Sequence, residues 1–217
     1  SLNEIAYIED VQSIIFVGRT GCGKSTLANV LLDDEKFDEI AGSTSGTKRI
    51  QNEIFEWNGN KYCVIDTVGI GDDSRLSNYE KMLLFCDIFK KRKIKQIFFV
   101  YKDRFEDYQV KALEKVNKLL KVYGSKYNGA HIALVCTNFA EFENNDACDL
   151  DTVKLLRDRK NQNIVEVIRS CKHIHVDNPP IHSSCHGDGA KRARQSSRRK
   201  LPEYLESIAS VKCIEVK

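Results

Sequence analysis

The run Gly18-Arg19-Thr20-Gly21-Cys22-Gly23-Lys24-Ser25-Thr26 spells G-x-x-x-x-G-K-S and constrains the fold more than any other stretch of this chain. A loop of this kind works between a strand and a helix. Its glycines let the backbone wrap an anion without Cβ clashes, so that successive N–H groups and the helix N-terminus point at phosphate oxygens. The flanks meet that requirement: Ile14-Ile15-Phe16-Val17 is an apolar strand run, and Leu27-Ala28-Asn29-Val30-Leu31-Leu32 continues as a helix. In such a loop Lys24 reaches the β- and γ-phosphates and the Ser25 hydroxyl ligates Mg²⁺.

Apolar runs and amphipathic stretches alternate along the rest of the chain. Strands are predicted at Ser13–Val17, Ile50–Trp57, Lys61–Asp66, Gln96–Tyr101, His131–Thr137 and His173–Val176. Helices are predicted at Ser25–Leu32, Tyr79–Lys93, Tyr108–Tyr123, Asp151–Ser170 and about Lys200–Ser210. Asn58-Gly59-Asn60 is a hairpin signal, which makes one strand antiparallel. The expected fold is α/β: a doubly wound, mostly parallel six-stranded sheet between two helical layers, the three-layer P-loop G domain. At 217 residues and 41% hydrophobic content, one domain over 1–217 suffices. A net charge of +3 is too small to argue for nucleic acid, and no apolar run reaches membrane-spanning length. The eight cysteines are scattered with no C-x-x-C pair, and Cys63, Cys86 and Cys136 sit inside apolar runs, as reduced thiols in a cytoplasmic chain do. Any membrane relationship would come through a segment absent from this chain.

Further pieces narrow the nucleotide. Cys63-Val64-Ile65-Asp66-Thr67-Val68-Gly69 is an apolar strand ending in D-x-x-G, where Asp66 can hold Mg²⁺ through water and the Gly69 N–H can meet a γ-phosphate. It opens a second switch region at about 66–78. The polar stretch 38–49, rich in Gly, Ser and Thr, reads as the first switch loop, with Thr44 and Thr47 as candidates to close over Mg²⁺. Base-binding loops are expected at about 137–143 and 176–195.

These motifs resemble the AIG/GIMAP GTPases of the septin- and Toc-like branch. Phe16 to Leu32 is similar to that family's first motif almost residue for residue, and Gly46-Thr47-Lys48 resembles its switch-one threonine–lysine pair, which favours Thr47. Val100-Tyr101-Lys102-Asp103-Arg104-Phe105-Glu106-Asp107-Tyr108-Gln109 resembles the family's diagnostic box, and the likeness continues through Leu134 to Thr137 and Arg198 to Leu205. It implies a Mg²⁺-dependent GTP/GDP-binding protein, with nucleotide-dependent homodimerisation through the G-domain face and an arginine, here Arg104, supplied in trans. Thr47 and Arg104 are the candidate catalytic residues.

Base reading departs from the usual N-K-x-D. Here the strand delivers Asn138-Phe139-Ala140-Glu141, so the carboxylate sits on Glu141, one methylene longer, and Phe139 either stacks on the base or packs. His175-Val176-Asp177-Asn178 resembles the family's last strand ending in asparagine, which makes Asn178 the second base contact. The position of a water-orienting glutamine after D-x-x-G is Ile70, so hydrolysis is expected to be slow or completed from elsewhere. Two other readings stay open: a non-hydrolysing GTP-dependent scaffold, and a P-loop protein of relaxed base selectivity that binds ATP. Four of the five histidines crowd into Cys171–His186, but without the paired ligand spacing of a structural zinc site. The basic stretch Lys191–Lys200 reads as a solvated loop and helix start.

Overall fold

In this computed structural model, residues 11–37, 50–67, 69, 78–123, 130–157, 162–181 and 187–215 are described. The order is β1 (Gln12–Val17), α1 (Lys24–Leu32), β2 (Gln51–Trp57), β3 (Asn60–Asp66), α2 (Asn78–Lys91), β4 (Ile94–Lys102), α3 (Asp107–Tyr123), β5 (Ile132–Thr137), α4 (Asn145–Arg157), α5 (Gln162–Ser170), β6 (Lys172–His175) and α6 (Gly187–Ser207). The sheet runs β2-β3-β1-β4-β5-β6, with every pairing parallel except the β2–β3 hairpin. That hairpin turns where Asn58 and Gly59 take φ of 48° and 78°, the left-handed pair that a two-residue turn matched to strand twist requires.

Alternation along β1 builds both faces. Ile15 and Val17 pack with Phe85, Ile88 and Phe89 of α2, Leu113, Val116 and Leu120 of α3 and Ile168 of α5. Ile14 and Phe16 pack on the other side with Leu27 and Leu31 of α1 and Leu201 and Leu205 of α6. β1 lies between β3 and β4, so the crossovers leaving it diverge and the crevice beyond its carboxyl end is the topological switch point. Among the described residues no helix is long and apolar enough to cross a membrane.

Two element boundaries differ from expectation. The single helix expected over 151–170 is two, α4 and α5, and α4 begins earlier because Asn144 Oδ1 accepts the Ala147 N–H at 3.2 Å as an N-cap. The last helix starts at Gly187, not near Lys200, so the segment 187–195 assigned to the second base loop is helical and the basic stretch lies on α6. Gly187, Gly189, Ser196, Ser197 and Pro202 are poor helix formers. Burial decides instead: Ala190, Ser197, Leu201, Pro202 and Leu205 line the buried side of α6.

Candidate functional site

The register of the sheet assembles the phosphate end. Phe16 pairs with Asp66 across β1 and β3, which places the start of the glycine-rich loop beside the tip of β3. Gly18 passes so close to β4 that a Cβ there would stand 2.1 Å from the Val100 carbonyl oxygen. Gly23, at φ 92°, turns the chain into α1 and carries no side-chain cap, leaving the helix N-terminus open to an anion. Lys24 is 6% exposed, and its Nζ donates to the Arg19 carbonyl at 3.0 Å. Ser25 Oγ donates to Asp66 Oδ2 at 2.6 Å.

Asp66 is fully buried, and its other oxygen, Oδ1, has no hydrogen-bond partner. Burial pushes its carboxyl above the ordinary range, against the opposing pull of the Lys24 ammonium and the Ser25 hydroxyl. A buried carboxylate with one oxygen unsatisfied is costly unless a cation or donor completes it. Hard oxygen donors at the tip of a phosphate loop fit Mg²⁺. Gly69 is buried just beyond β3. Thr44, Thr47 and Ile70 lie outside the described residues.

Thr137 was not singled out from the sequence. Its Oγ1 lies 2.7 Å from the Cys22 carbonyl and 3.2 Å from the Tyr101 carbonyl, and its one hydrogen bolts β5 to the phosphate loop. The link joins residues 115 apart in sequence that only the fold brings together, so no local signal announces it. Beyond it, Asn138 adopts φ 61° and its Nδ2 donates to Asp103 Oδ1 at 2.9 Å. Phe139 packs its ring on His175 at 4.7 Å, and its N–H donates to the Val176 carbonyl at 3.1 Å, joining the segments that leave β5 and β6. Glu141 is solvent-exposed and its carbonyl accepts from the Asn144 N–H at 2.8 Å. Asn178 is half-buried, and neither its Nδ2 nor its Oδ1 has a partner. Asp177 is held nearby by the Ser197 hydroxyl of α6, which donates to its carbonyl at 2.8 Å.

Arg104 is exposed at the entry to α3. Its carbonyl is fixed by Gln109 Nε2 at 3.1 Å, while its guanidinium pairs with no described residue. Asp103, the adjacent acid, is engaged by Asn138 instead. Arg19, in the loop itself, lies over the Tyr108 ring at 5.0 Å.

A family model described as the AIG1 family matches residues 12–207. The chain is 38% identical over 78 residues to the GTPase Der of Mycoplasma mycoides, and 34% identical over 86 residues to that of Aquifex aeolicus. These alignments span under a fifth of the length of the curated relatives, 17% and 19%. Among solved structures, Toc33 of Arabidopsis thaliana in complex with GDP and Mg²⁺ superimposes with TM-score 0.62 at 15% identity, covering 95% of this chain and 88% of the other. Era of Aquifex aeolicus bound to GDP and AlF4⁻ gives TM-score 0.58 at 14% identity, over 93% of this chain and 57% of that one. At such identities these two likenesses establish the fold.

Proposed function

The chain belongs to the AIG1 family and has the fold of a GTP-binding G domain, and from that premise we propose that it is a Mg²⁺-dependent switch in which bound guanine nucleotide controls assembly and hydrolysis is slow until two domains pair. The observation that carries this reading is the buried, half-satisfied carboxylate of Asp66 beside Ser25 and Lys24. Residues Gly18, Arg19, Thr20, Gly21, Cys22, Gly23, Lys24, Ser25 and Thr26 cradle the phosphates, and the Lys24 ammonium moves from the Arg19 carbonyl to a β/γ oxygen. Ser25, Asp66 and, from switch one, Thr47 would hold the metal, and the Gly69 N–H would meet the γ-phosphate. Mg²⁺ held there would offset the negative charge of the polyphosphate and so ease attack at the γ-phosphorus.

Base reading falls to Glu141 and Asn178, with Asn138 setting the turn between them and the phosphate loop. The Asn178 amide offers a donor group and an acceptor, and neither has a hydrogen-bond partner among the described residues. A base edge that satisfies them removes a desolvation cost of about 1–3 kcal/mol. Relaxed selectivity is the competing reading, and the exposure of Glu141 favours it. Competition of GTP, GDP and ATP for fluorescent GDP in Mg²⁺ separates the two. Guanine nucleotides are expected to win by roughly 100-fold, about 2.7 kcal/mol, and Asn178→Ala to cut that margin by roughly tenfold. Displacement by ATP at the same concentrations sinks the guanine assignment.

For the chloroplast translocon components Toc33 and Toc159, dimerization is important for GTPase activity, and an arginine-to-alanine variant of Toc33 is dimerization-deficient. The Arg104 guanidinium is exposed and pairs with no described residue, as a trans role needs, where it would offset charge developing on a partner's phosphates. Turnover per subunit is expected to rise with protein concentration and to lose that dependence in Arg104→Ala. A rate that stays flat in the unaltered protein removes the trans arginine, whereas missing turnover at every concentration alongside tight GTP binding leaves the non-hydrolysing scaffold.

A further inference from the structure

Cys136, Asp151 and His175 are remote from one another in sequence, yet the fold collects them. β5 and β6 are parallel with Cys136 and His175 as register partners, so both side chains leave the same face of the sheet, and Asp151 of α4 meets them there. One ligand atom from each of the three lies within 4.8 Å of the other two. His175 Nε2 stands 2.9 Å from Asp151 Oδ2. Cys136 is 1% exposed and the His175 side chain 4%, while the Asp151 side chain is 28% exposed and opens the cluster to solvent.

The same three residue types could serve as nucleophile, base and acid. A sealed thiol excludes that, because no substrate carbon can reach the sulfur and burial pushes it up to about 12, leaving no thiolate in reserve. A cation asks less: converging donor atoms and one open side for its own approach. We propose that Cys136, Asp151 and His175 form a second metal site, selective for a borderline-soft divalent cation such as Zn²⁺, with water as the fourth ligand.

Geometry and chemistry both support it. Around a tetrahedral Zn²⁺ with ordinary bond lengths, ligand atoms stand about 3.3–3.6 Å apart. The His175–Asp151 pair, at 2.9 Å, is already near that spacing, and the sulfur, within 4.8 Å of both, needs a shift of at most about 1.2 Å to reach it. Mixed sulfur, nitrogen and oxygen donors favour Zn²⁺ over Mg²⁺ or Ca²⁺, which take oxygen. As the metal–sulfur bond forms, the thiol proton leaves to solvent. Tyr101 is the register partner of Cys136 on β4, so its hydroxyl is placed to donate to the thiolate and would supply the outer support that metal sites use. Because Phe139 rests on the His175 ring, the metal would also stiffen the root of the 138–144 loop. The site does not depend on the nucleotide assignment.

The test is a Co²⁺ titration of the whole chelator-stripped chain, with excess Mg²⁺ to occupy oxygen-only sites, followed by absorbance. One equivalent should bind with visible tetrahedral bands and a near-ultraviolet thiolate-to-cobalt charge-transfer band, and Zn²⁺ should displace it. Cys136→Ser should abolish the charge-transfer band. Asp151→Asn, a partly exposed position that is gentle to the fold, should weaken Co²⁺ binding by at least about tenfold. Absence of the charge-transfer band in the unaltered chain, its survival in Cys136→Ser, or unchanged affinity in Asp151→Asn each overturns the site.

Discussion

Gly18→Ala should destabilise the protein by about 3 kcal/mol, a melting temperature lower by roughly 6–12 °C for a domain of this size. The cause is a collision with backbone, not with a side chain that could swing away. The new Cβ would meet the Val100 carbonyl oxygen at 2.1 Å and its carbon at 3.1 Å, and Val100 is a fully buried residue of β4. Relief requires β1 and β4 to part at the place where the phosphate loop leaves the sheet, so nucleotide affinity should fall with stability. Gly21→Ala is the control in the same loop. Its Cβ would touch nothing within 4 Å, and the cost is confined to the left-handed backbone at φ 80°, about 1 kcal/mol. Thermal unfolding of the two variants without nucleotide checks the ordering. Equal melting temperatures would mean that the close approach of loop and strand carries no strain.

Asp66→Asn should act in opposite directions on the free and loaded protein. Burial raises the Asp66 carboxyl above its ordinary value of 3.8. Between that value and the raised one, the folded chain keeps a proton that the unfolded chain releases, so stability falls as pH rises through the window. Above it the ionised, half-satisfied carboxylate exacts its full penalty. The asparagine retains an oxygen for the Ser25 hydroxyl and sheds the charge. In chelator at neutral pH the variant should therefore melt higher than the parent, and the difference should vanish towards acid pH, where the parent is protonated. With Mg²⁺ and GTP the order should reverse, with affinity at least tenfold weaker, about 1.4 kcal/mol. A variant that melts lower in chelator at neutral pH would show that the carboxylate stabilises the free fold and would falsify its reading as a vacant ligand.

Much of the fold was legible because its signals are local. The phosphate loop, the D-x-x-G strand and the Asn58-Gly59 hairpin each state their geometry in a few contiguous residues. The first turns of α6 were not legible, because Gly187, Gly189, Ser196 and Ser197 argue against a helix that burial against β6 and α1 nevertheless enforces. At the site, Ser25 and Asp66 were readable as a pair from motif order, and the structure brings them to 2.6 Å. The bond between Asn138 and Asp103, the Thr137 bolt and the alignment of Cys136 with His175 depend on strand register, which no spacing within one element encodes. Phe139 left two options open from sequence, and in the structure its ring packs on His175.

Thr137 has a consequence for how a nucleotide is sensed. Its hydroxyl lies under the Cys22 carbonyl, and the next residue begins the loop proposed above to read the base. The two halves of the receptor are thus joined before any ligand arrives, and the ligand need not supply the free energy of bringing them together. On the proposed assignment, nucleoside and polyphosphate would be two ends of one rigid gauge. A base that sits askew tilts the phosphates with it, so an error in reading one end is registered at the other.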